Sequence, residues 1–240
     1  MKTKSEHNYF FGSMPEMPWK KETIMDDNIY KPRPDCQTPG LAEIYAGVFG
    51  QKIDGVFVEI GANDGISWSN TIFLAELGWT GLYVDPIEHL YTKCVQNHEK
   101  HPNITIFKAT VGDGSRVAMH RQGYTDDLYT GNPAFAKANH ANNVIGEFPT
   151  VRMDDLLEMY DFQKHFDLAV IDVEGMEVDV LKGWAIERWM PKLVIVETCE
   201  LNRNLAIPGH NDYINTYFVR YYTKIYTSAI NTIFLRVYHV

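Results

Sequence analysis

The stretch EIGANDGIS, residues 59–67, begins with an acid and then sets small residues close together in the chain. The run that leads into it, Gly55-Val56-Phe57-Val58, is apolar and typical of a buried β-strand. Gly61 and Gly65 can adopt positive φ and leave room for another group to approach the backbone. We therefore expect a strand, a tight turn and then a helix, an arrangement that forms ligand sites in open parallel sheets.

The composition is that of a globular protein. The chain has 240 residues, 45% hydrophobic and 22% charged, which suits one large α/β domain or one domain with an extension. A net charge of −9 argues against nucleic acid or an anionic membrane surface as a partner. Cys36, Cys94 and Cys199 share no CxxC spacing, so we expect reduced thiols. No signal peptide or membrane-spanning run is evident, and a cytoplasmic location is expected.

The N-terminal part differs from the rest of the chain. Residues 1–40 combine prolines with aromatic residues, which predicts an irregular arm packed on a domain formed by residues 41–240. A first helix is predicted to start at Thr38, with Pro39 in its first turn.

Strand and helix patterns alternate after the arm. Because apolar strands separated by helices are typical of a parallel sheet covered on both faces, we predict an α/β fold. The predicted strands are 56–60, 82–85, 104–109, 168–172 and 193–197, and the predicted helices lie near 69–77, 87–98 and 177–188.

The C-terminal end follows another pattern. After a short predicted helix near 211–219, the strand-like runs 221–227 and 232–238 are separated only by Ser228 to Asn231. This gap is too short for a parallel crossover, so the two runs should form an antiparallel hairpin at the sheet edge. Residues 115–150 are rich in glycine, proline and polar side chains and predict a long irregular connection, either a binding loop or a surface excursion without a role.

The turn at Gly61 departs from a dinucleotide fingerprint. In GxGxxG the second glycine makes room for a pyrophosphate, whereas this chain has Asn63 there. Glu59 would repel a phosphate and attract an ammonium group, which favours S-adenosylmethionine (SAM) over a nicotinamide cofactor. Asp85 ends the next strand, where a carboxylate can accept hydrogen bonds from a ribose diol. Alternatively, Asp85 only caps a helix that has Pro86 at its first position.

Several segments together resemble the FkbM-type SAM-dependent methyltransferases, over roughly residues 41–238. The segments are EIGANDGISWSNT (59–71), GWTGLYVDP (78–86), TVRMDDLL (150–157), FDLAVIDVEGMEVDVLKGW (166–184) and PKLVIVE (191–197). The resemblance implies a Rossmann-like class I methyltransferase fold, with a mostly parallel seven-stranded sheet and an antiparallel last strand. It also implies methyl transfer from SAM to oxygen, commonly a sugar hydroxyl of a glycan or glycoconjugate.

The same resemblance implies which residues contact SAM. The methionine end would lie at the glycine-rich turn, the ribose at Asp85 and the adenine near Thr110 to Asp113. The implied cofactor residues are Glu59, Gly61, Ala62, Asn63, Gly65, Asn70, Asp85, Thr110, Val111 and Asp172.

Acids also gather at the ends of two later strands. The sheet edge that carries the turn should also bring together Asp172, Glu174 and Glu197. Glu177 is predicted to lie early in the next helix, where a carboxylate interacts favourably with the helix dipole. We predict that Asp172 and Glu174 are catalytic and orient and help deprotonate the acceptor hydroxyl. The alternative is N-capping and a structural hydrogen-bond network. Acids of this kind also suit Mg²⁺ or Mn²⁺, so the use of a metal stays open.

Other readings remain. His120, His140 and His210 are alternative bases on predicted loops, although each is also plausible as a surface histidine. One rival function is a nucleotide- or nicotinamide-binding oxidoreductase built on the same kind of sheet. Another is a methyltransferase-like interaction module without catalysis.

Overall fold

The computed structural model describes residues 28–122, 128–198 and 207–237. Much of the predicted arm (1–27) and Cys199 lie outside the described residues. In chain order the elements are α1 (Leu41–Phe49), β1 (Val56–Ile60), α2 (Ile72–Leu77), β2 (Thr80–Val84), α3 (Glu88–Asn97), β3 (Ile104–Phe107), β4 (Thr110–Gly112), β5 (Arg116–Arg121), β6 (Tyr129–Thr130), α4 (Pro133–Ala138), β7 (Asn143–Arg152), α5 (Met153–Met159), β8 (Leu168–Ile171), α6 (Glu177–Lys182), α7 (Ile186–Trp189), β9 (Leu193–Glu197), α8 (His210–Phe218), β10 (Tyr222–Thr227) and β11 (Asn231–Arg236).

The main sheet has seven strands in the order β10-β11-β9-β8-β1-β2-β3. The strands from β9 to β3 pair in parallel, whereas β11 runs antiparallel to both β9 and β10. The predicted α/β architecture is confirmed: a mostly parallel, Rossmann-like sheet of seven strands with an antiparallel C-terminal hairpin. The hairpin packs its second strand inside the sheet and its first at the edge.

Side chains alternate between the two faces of this sheet. Val58 and Val84 contact the core cluster formed with α5, α6 and α8. Phe57 and Tyr83 contact the opposite cluster, formed with α1, α2 and α3. Because each face is covered by helices, the central strands are apolar on both sides, as the sequence pattern predicted. The carboxyl ends of β1, β2 and β8 therefore open at one edge of a three-layer structure.

The described part of the arm packs on the second of these cores. Tyr30 is fully buried, with its ring centroid 5.8 Å from that of Tyr45 and 6.4 Å from that of Trp79. The predicted start of α1 at Thr38 is wrong. The helix begins at Leu41, because Gly40 adopts a left-handed conformation with φ 73° and interrupts the helical path.

The prediction of an irregular segment at 115–150 is also wrong. The segment contributes β5, β6 and most of β7 to a second sheet, with the strand order β4-β7-β5-β6, and it also contains α4. Gly146 and Pro149, read as loop signals, both lie within β7. Gly146 pairs with Met119, next to a β-bulge, and a strand tolerates glycine at such a place.

Other predicted boundaries need smaller changes. The helix expected near 177–188 is two short helices, α6 and α7, which meet around Gly183. Cys36 and Cys94 are free thiols, as expected, and burial raises the pKa of Cys36 to about 11. Within the described ranges, no helix has both the length and the apolar character needed to cross a membrane.

Candidate functional site

A cleft with a cavity volume of about 150 Å³ opens at the carboxyl ends of β1, β2 and β8. It brings together most of the residues that the sequence assigned to the cofactor, and both predicted catalytic acids. These lining residues are Glu59, Gly61, Ala62, Asn63, Asp85, Thr110, Val111, Asp172 and Glu174. Gly65 and Asn70 do not line the cleft.

Gly61 is a point of close approach between neighbouring strands. Its φ is 83°, and a Cβ atom there would lie 1.6 Å from the carbonyl oxygen of Asp172. The amides of Gly61 and Ala62 donate to the Val84 carbonyl, at 2.9 and 3.0 Å. The missing side chain therefore makes room for the protein's own backbone, which joins the ends of three strands beneath the cleft.

Gly65 supports the turn from behind. A Cβ atom there would lie 2.6 Å from both the Cys94 Sγ and the His98 Nε2 atoms, which belong to α3 and its C-terminal end. Its φ of 73° again favours glycine. This packing gives Gly65 a structural role against α3, and its predicted contact with the cofactor stays a prediction.

Asp85 ties the turn to the start of α3. Its Oδ2 accepts from the Asn63 amide at 3.0 Å, and its Oδ1 accepts from the Ile87 amide at 2.9 Å. Burial raises the pKa of Asp85 to about 7, although both hydrogen bonds act in the opposite direction. A carboxylate has about four acceptor positions, so two bonds leave capacity for further donors from the cleft.

Glu59 lies at the end of β1, where its carboxylate is buried. It accepts from Ser69 Oγ at 3.1 Å and from Thr71 Oγ1. Burial raises the pKa of Glu59 to about 7, against the lowering effect of the two hydroxyls, and nearby Asp172 raises it further. The two hydroxyl partners were not singled out from the sequence.

Thr110 lies at the start of β4, on the wall where the resemblance placed an adenine. Its Oγ1 atom is buried and has no hydrogen-bond partner in the described part of the chain. An unsatisfied buried hydroxyl costs free energy unless a ligand or water supplies the missing partner. Neighbouring Val111 is buried and lines the same wall.

The acids form a different group from the one predicted. Carboxylate oxygens of Asp172, Glu177 and Glu197 lie within 4.8 Å of one another, a spacing that shared protons or a divalent cation would satisfy. Glu177 is not simply a helix-start residue. Its side chain accepts from the amides of Val173 and Gly175, at 3.0 and 3.2 Å, and is fully buried.

Asp172 connects this acid group to the cleft. Burial raises the pKa of Asp172, while hydrogen bonds with Gln37 and Glu197 oppose the increase. A hydrogen bond between the Asp172 and Glu197 carboxyl groups requires a proton on one of them.

Glu174 projects into the cleft from a strained turn. Its φ of 55° is left-handed, and its carbonyl accepts from Thr130 Oγ1 at 2.6 Å. The next carbonyl, that of Gly175, accepts from Asn132 Nδ2 at 2.7 Å. Burial, then the charges of Asp172 and Glu177, raises the pKa of Glu174 well above its ordinary value. The segment between β6 and α4 thus holds the turn that presents the predicted base.

The histidines lie elsewhere. Among the described residues, none of them lines the cleft. His120 lies within β5, His140 follows α4, and His210 Nε2 lies 2.8 Å from a Glu177 oxygen.

The lining also contains residues that the sequence did not single out, among them Gln37, Trp68, Met119, Tyr129 and Met176. Trp68 is 58% exposed and has φ 61°, a conformation that bulky residues rarely adopt. Trp68 belongs to the quoted motif EIGANDGISWSNT. A tryptophan so soon after a glycine-rich turn could have been recognised from the sequence as a candidate ligand contact. Gln37 comes from the arm, and no local pattern marks it.

Comparison with known proteins places the chain in a family. Residues 59–222 match the family described as "Methyltransferase FkbM domain". The chain therefore belongs to the FkbM methyltransferase domain family, in agreement with the resemblance noted from its motifs. The methyltransferase fold uses SAM in general.

More distant likenesses were also found. The METTL16 MTase domain has a TM-score of 0.47 at 12% identity, covering 83% of this chain and 66% of that chain. The precorrin-6y C5,15-methyltransferase from Geobacter metallireducens has a TM-score of 0.45 at 11% identity, covering 89% and 97%. WbdD has a TM-score of 0.44 at 13% identity, covering 82% and 33%.

One group of curated relatives carries another activity. The histidinol-phosphate aminotransferase of Salmonella paratyphi A is 26% identical over 197 residues, and the chain spans about half of its length (51%), with 81% of this chain covered.

Proposed function

We propose that the protein is a SAM-dependent O-methyltransferase that acts on a sugar hydroxyl of a glycan or glycoconjugate. The observation that carries this proposal is the charge of the cleft. Its described lining contains four carboxylates, Glu59, Asp85, Asp172 and Glu174, and no lysine, arginine or histidine. In their ionised form, which a cationic ligand favours against the raised pKa values, these groups suit a ligand with a sulfonium and an ammonium group and repel a pyrophosphate. The cleft therefore favours SAM over the dinucleotide of the rival oxidoreductase.

The individual groups fit the parts of SAM. Glu59 would hold the ammonium group, Asp85 the ribose hydroxyls, and Thr110 Oγ1 would find in the adenine the partner that it lacks in the protein. When bound, SAM supplies a methyl group that is already attached to a good leaving group. The protein must then orient an acceptor oxygen and exclude water, and alignment of this kind accounts for several powers of ten in rate.

Two features support a sugar as the acceptor. Asp172 and Glu174 follow β8 and line the cleft, where their carboxyl groups can accept hydrogen bonds from neighbouring hydroxyls. Exposed Trp68 offers an aromatic face, a surface on which the C–H side of a sugar ring can stack. Removal of the hydroxyl proton falls to a carboxylate, with Glu174 as the first candidate.

The proposal is tested by titrating the protein with SAM and, separately, with NADH in a calorimeter, and by following tritium from labelled SAM into a panel of methyl-free glycans. SAM binding with label transfer supports it. NADH binding without SAM binding would favour the oxidoreductase. SAM binding without transfer to any glycan would favour an interaction module or another acceptor.

Replacing Asp85 by alanine is expected to weaken SAM binding by about 1–3 kcal/mol, because buried ribose hydroxyls would lose their acceptor. Calorimetric titration of the folded variant measures the change. Asp64→Ala is the matched control: Asp64 accepts from the Ile66 and Ser67 amides in the same turn but does not line the cleft. Equal losses in both variants would mean that Asp85 acts only by holding the turn.

SAM affinity is expected to rise with pH between about 6 and 8. The pKa values of Glu59 and Asp85 are raised to about 7 in the free protein, so both carboxyl groups are mainly protonated at pH 6. Because the ammonium group needs an ionised partner, and a carboxylate accepts from ribose hydroxyls more strongly than a protonated carboxyl group does, binding at pH 6 should release protons. Above the raised pKa values the affinity should level off. Titrations at pH 6 and pH 8 in buffers of different ionisation enthalpy count these protons, and a pH-independent affinity would contradict the assignment.

A further inference from the structure

Gln37 brings a side chain from the arm into the cleft. Its Nε2 donates to Asp172 Oδ2 at 2.6 Å, across more than half of the chain. An amide nitrogen can only donate, so this contact keeps one oxygen of Asp172 as an acceptor. It also restricts rotation of the carboxylate, which otherwise presents two equivalent oxygens to the cleft.

The orientation of the Gln37 amide is itself fixed. Its Oε1 accepts from Asn231 Nδ2 at 2.6 Å and from Asn70 Nδ2 at 3.1 Å. Asn231 also donates to Thr38 Oγ1 at 3.1 Å. Because two donors face Oε1, the nitrogen is the group that is left to face Asp172. Asn70, predicted to contact the cofactor, therefore lies behind Gln37 and supports it.

Asn231 also connects this network to Asp172 through Glu197. Asn231 is paired in register with Glu197 across β11 and β9, and Glu197 is hydrogen-bonded to Asp172. The arm, the glycine turn, β9 and β11 thus converge on one carboxylate. Gln37 and Asn231 both lie outside the 59–222 segment that matches the family, so the arrangement is added by segments on either side of it.

We propose that Gln37 is a positioning residue: it fixes the carboxylate of Asp172 in the orientation that holds the hydroxyl group to be methylated. This inference rests on the proposed methyl transfer to a hydroxyl. The hydrogen bond from Gln37 uses one acceptor position of Asp172 and the contact with Glu197 involves the same carboxyl group, so only the remaining acceptor positions can meet the substrate hydroxyl. Loss of Gln37 would let the carboxylate rotate, so the hydroxyl would be held less often in line with the methyl group.

The first test needs no substrate. Unfolding in urea is measured for Gln37→Leu, Asp172→Ala and the double variant. If the two side chains interact, the double variant should lose less stability than the sum of the two single losses. Additive losses would overturn the inference. This measurement is independent of SAM and of the acceptor, and it remains valid if the proposed function fails.

The second test measures kinetics with the glycan from the panel that accepts label. Gln37→Leu is expected to lower kcat roughly 10–100-fold, as for loss of a hydrogen bond to a charged group, with the KM values for SAM and glycan nearly unchanged. Gln37→Met has nearly the same size but no donor for Asp172, so it should lower kcat as much. Gln163→Leu, an exposed site remote from the cleft, is the control.

The outcomes separate cleanly. Wild-type kcat in Gln37→Met would overturn the inference while leaving methyl transfer intact. A fall in kcat that merely follows a loss of SAM affinity would make Gln37 a structural residue and would also overturn it. Absence of label transfer by the wild type would refute the proposed function, whereas the unfolding measurements would still show whether Gln37 and Asp172 are coupled.

Discussion

Glu174→Gln is expected to lower kcat by roughly 10²–10⁴-fold while SAM binding stays nearly intact. The amide keeps the shape and reach of the side chain but cannot take the proton of the acceptor hydroxyl. The raised pKa of Glu174 makes its carboxylate a stronger base than an ordinary glutamate, provided that it is ionised. The wild-type rate should therefore increase with pH as Glu174 loses its proton, and the variant should lack this increase. A pH profile of kcat with labelled SAM measures both effects.

Glu43→Gln serves as the control, because Glu43 is an exposed residue of α1. Full activity in Glu174→Gln would remove Glu174 from the proton transfer and leave Asp172 as the carboxylate to examine. Treatment of the wild type with EDTA examines the other use of these acids. Activity lost to EDTA and restored by Mg²⁺ would assign the carboxylates to a cation instead.

Gly61→Ala is expected to lower the free energy of unfolding by about 2–5 kcal/mol. Left-handed backbone costs a residue with a Cβ atom about 1–2 kcal/mol, and overpacking typically adds about 1–3 kcal/mol. Here the clash is with backbone, because the new Cβ would lie 1.6 Å from the Asp172 carbonyl oxygen. The strand ends must separate to relieve it. Urea unfolding of the SAM-free protein gives the value.

Gly209→Ala isolates the contribution of the backbone conformation. Gly209 has φ 77°, and a Cβ atom there would meet nothing within 4 Å. The free energy of unfolding of Gly209→Ala should fall by only about 1–2 kcal/mol. Similar losses of stability in Gly61→Ala and Gly209→Ala would show that the backbone contact between Gly61 and Asp172 can relax more easily than its geometry indicates.

The main sheet was predictable because its strands carry short apolar runs separated by helical periodicity. The second sheet was not, because β7 contains Gly146 and Pro149, which locally favour a turn. The pairing of β7 with β5 and β4 overrides that preference, and tertiary pairing of this kind leaves no mark in a short window of sequence.

The site shows the same division. Glu59, Asp85 and Asp172 end neighbouring parallel strands, so their meeting at one edge follows from the fold. Gln37 reaches the cleft from an irregular arm, and no periodicity predicts where such a segment packs. Glu177 was assigned to the helix start, but its carboxylate turns back to the amides of the preceding turn. Whether the carboxylate of Glu177 faces solvent at the helix start or turns inward to these amides depends on its burial, which the sequence does not reveal.

The place of β11 has a consequence for where the folding unit ends. The family match stops at residue 222, where β10 begins, yet β11 is the strand that pairs with β9. A fragment cut at that boundary would leave β9 as an open edge, and all five residues of β9 are buried in the intact protein. Bare apolar edges invite pairing with other chains and aggregation. The segment that matches the family is thus shorter than the segment needed for folding. Engineered fragments or fusions should retain the chain through Arg236.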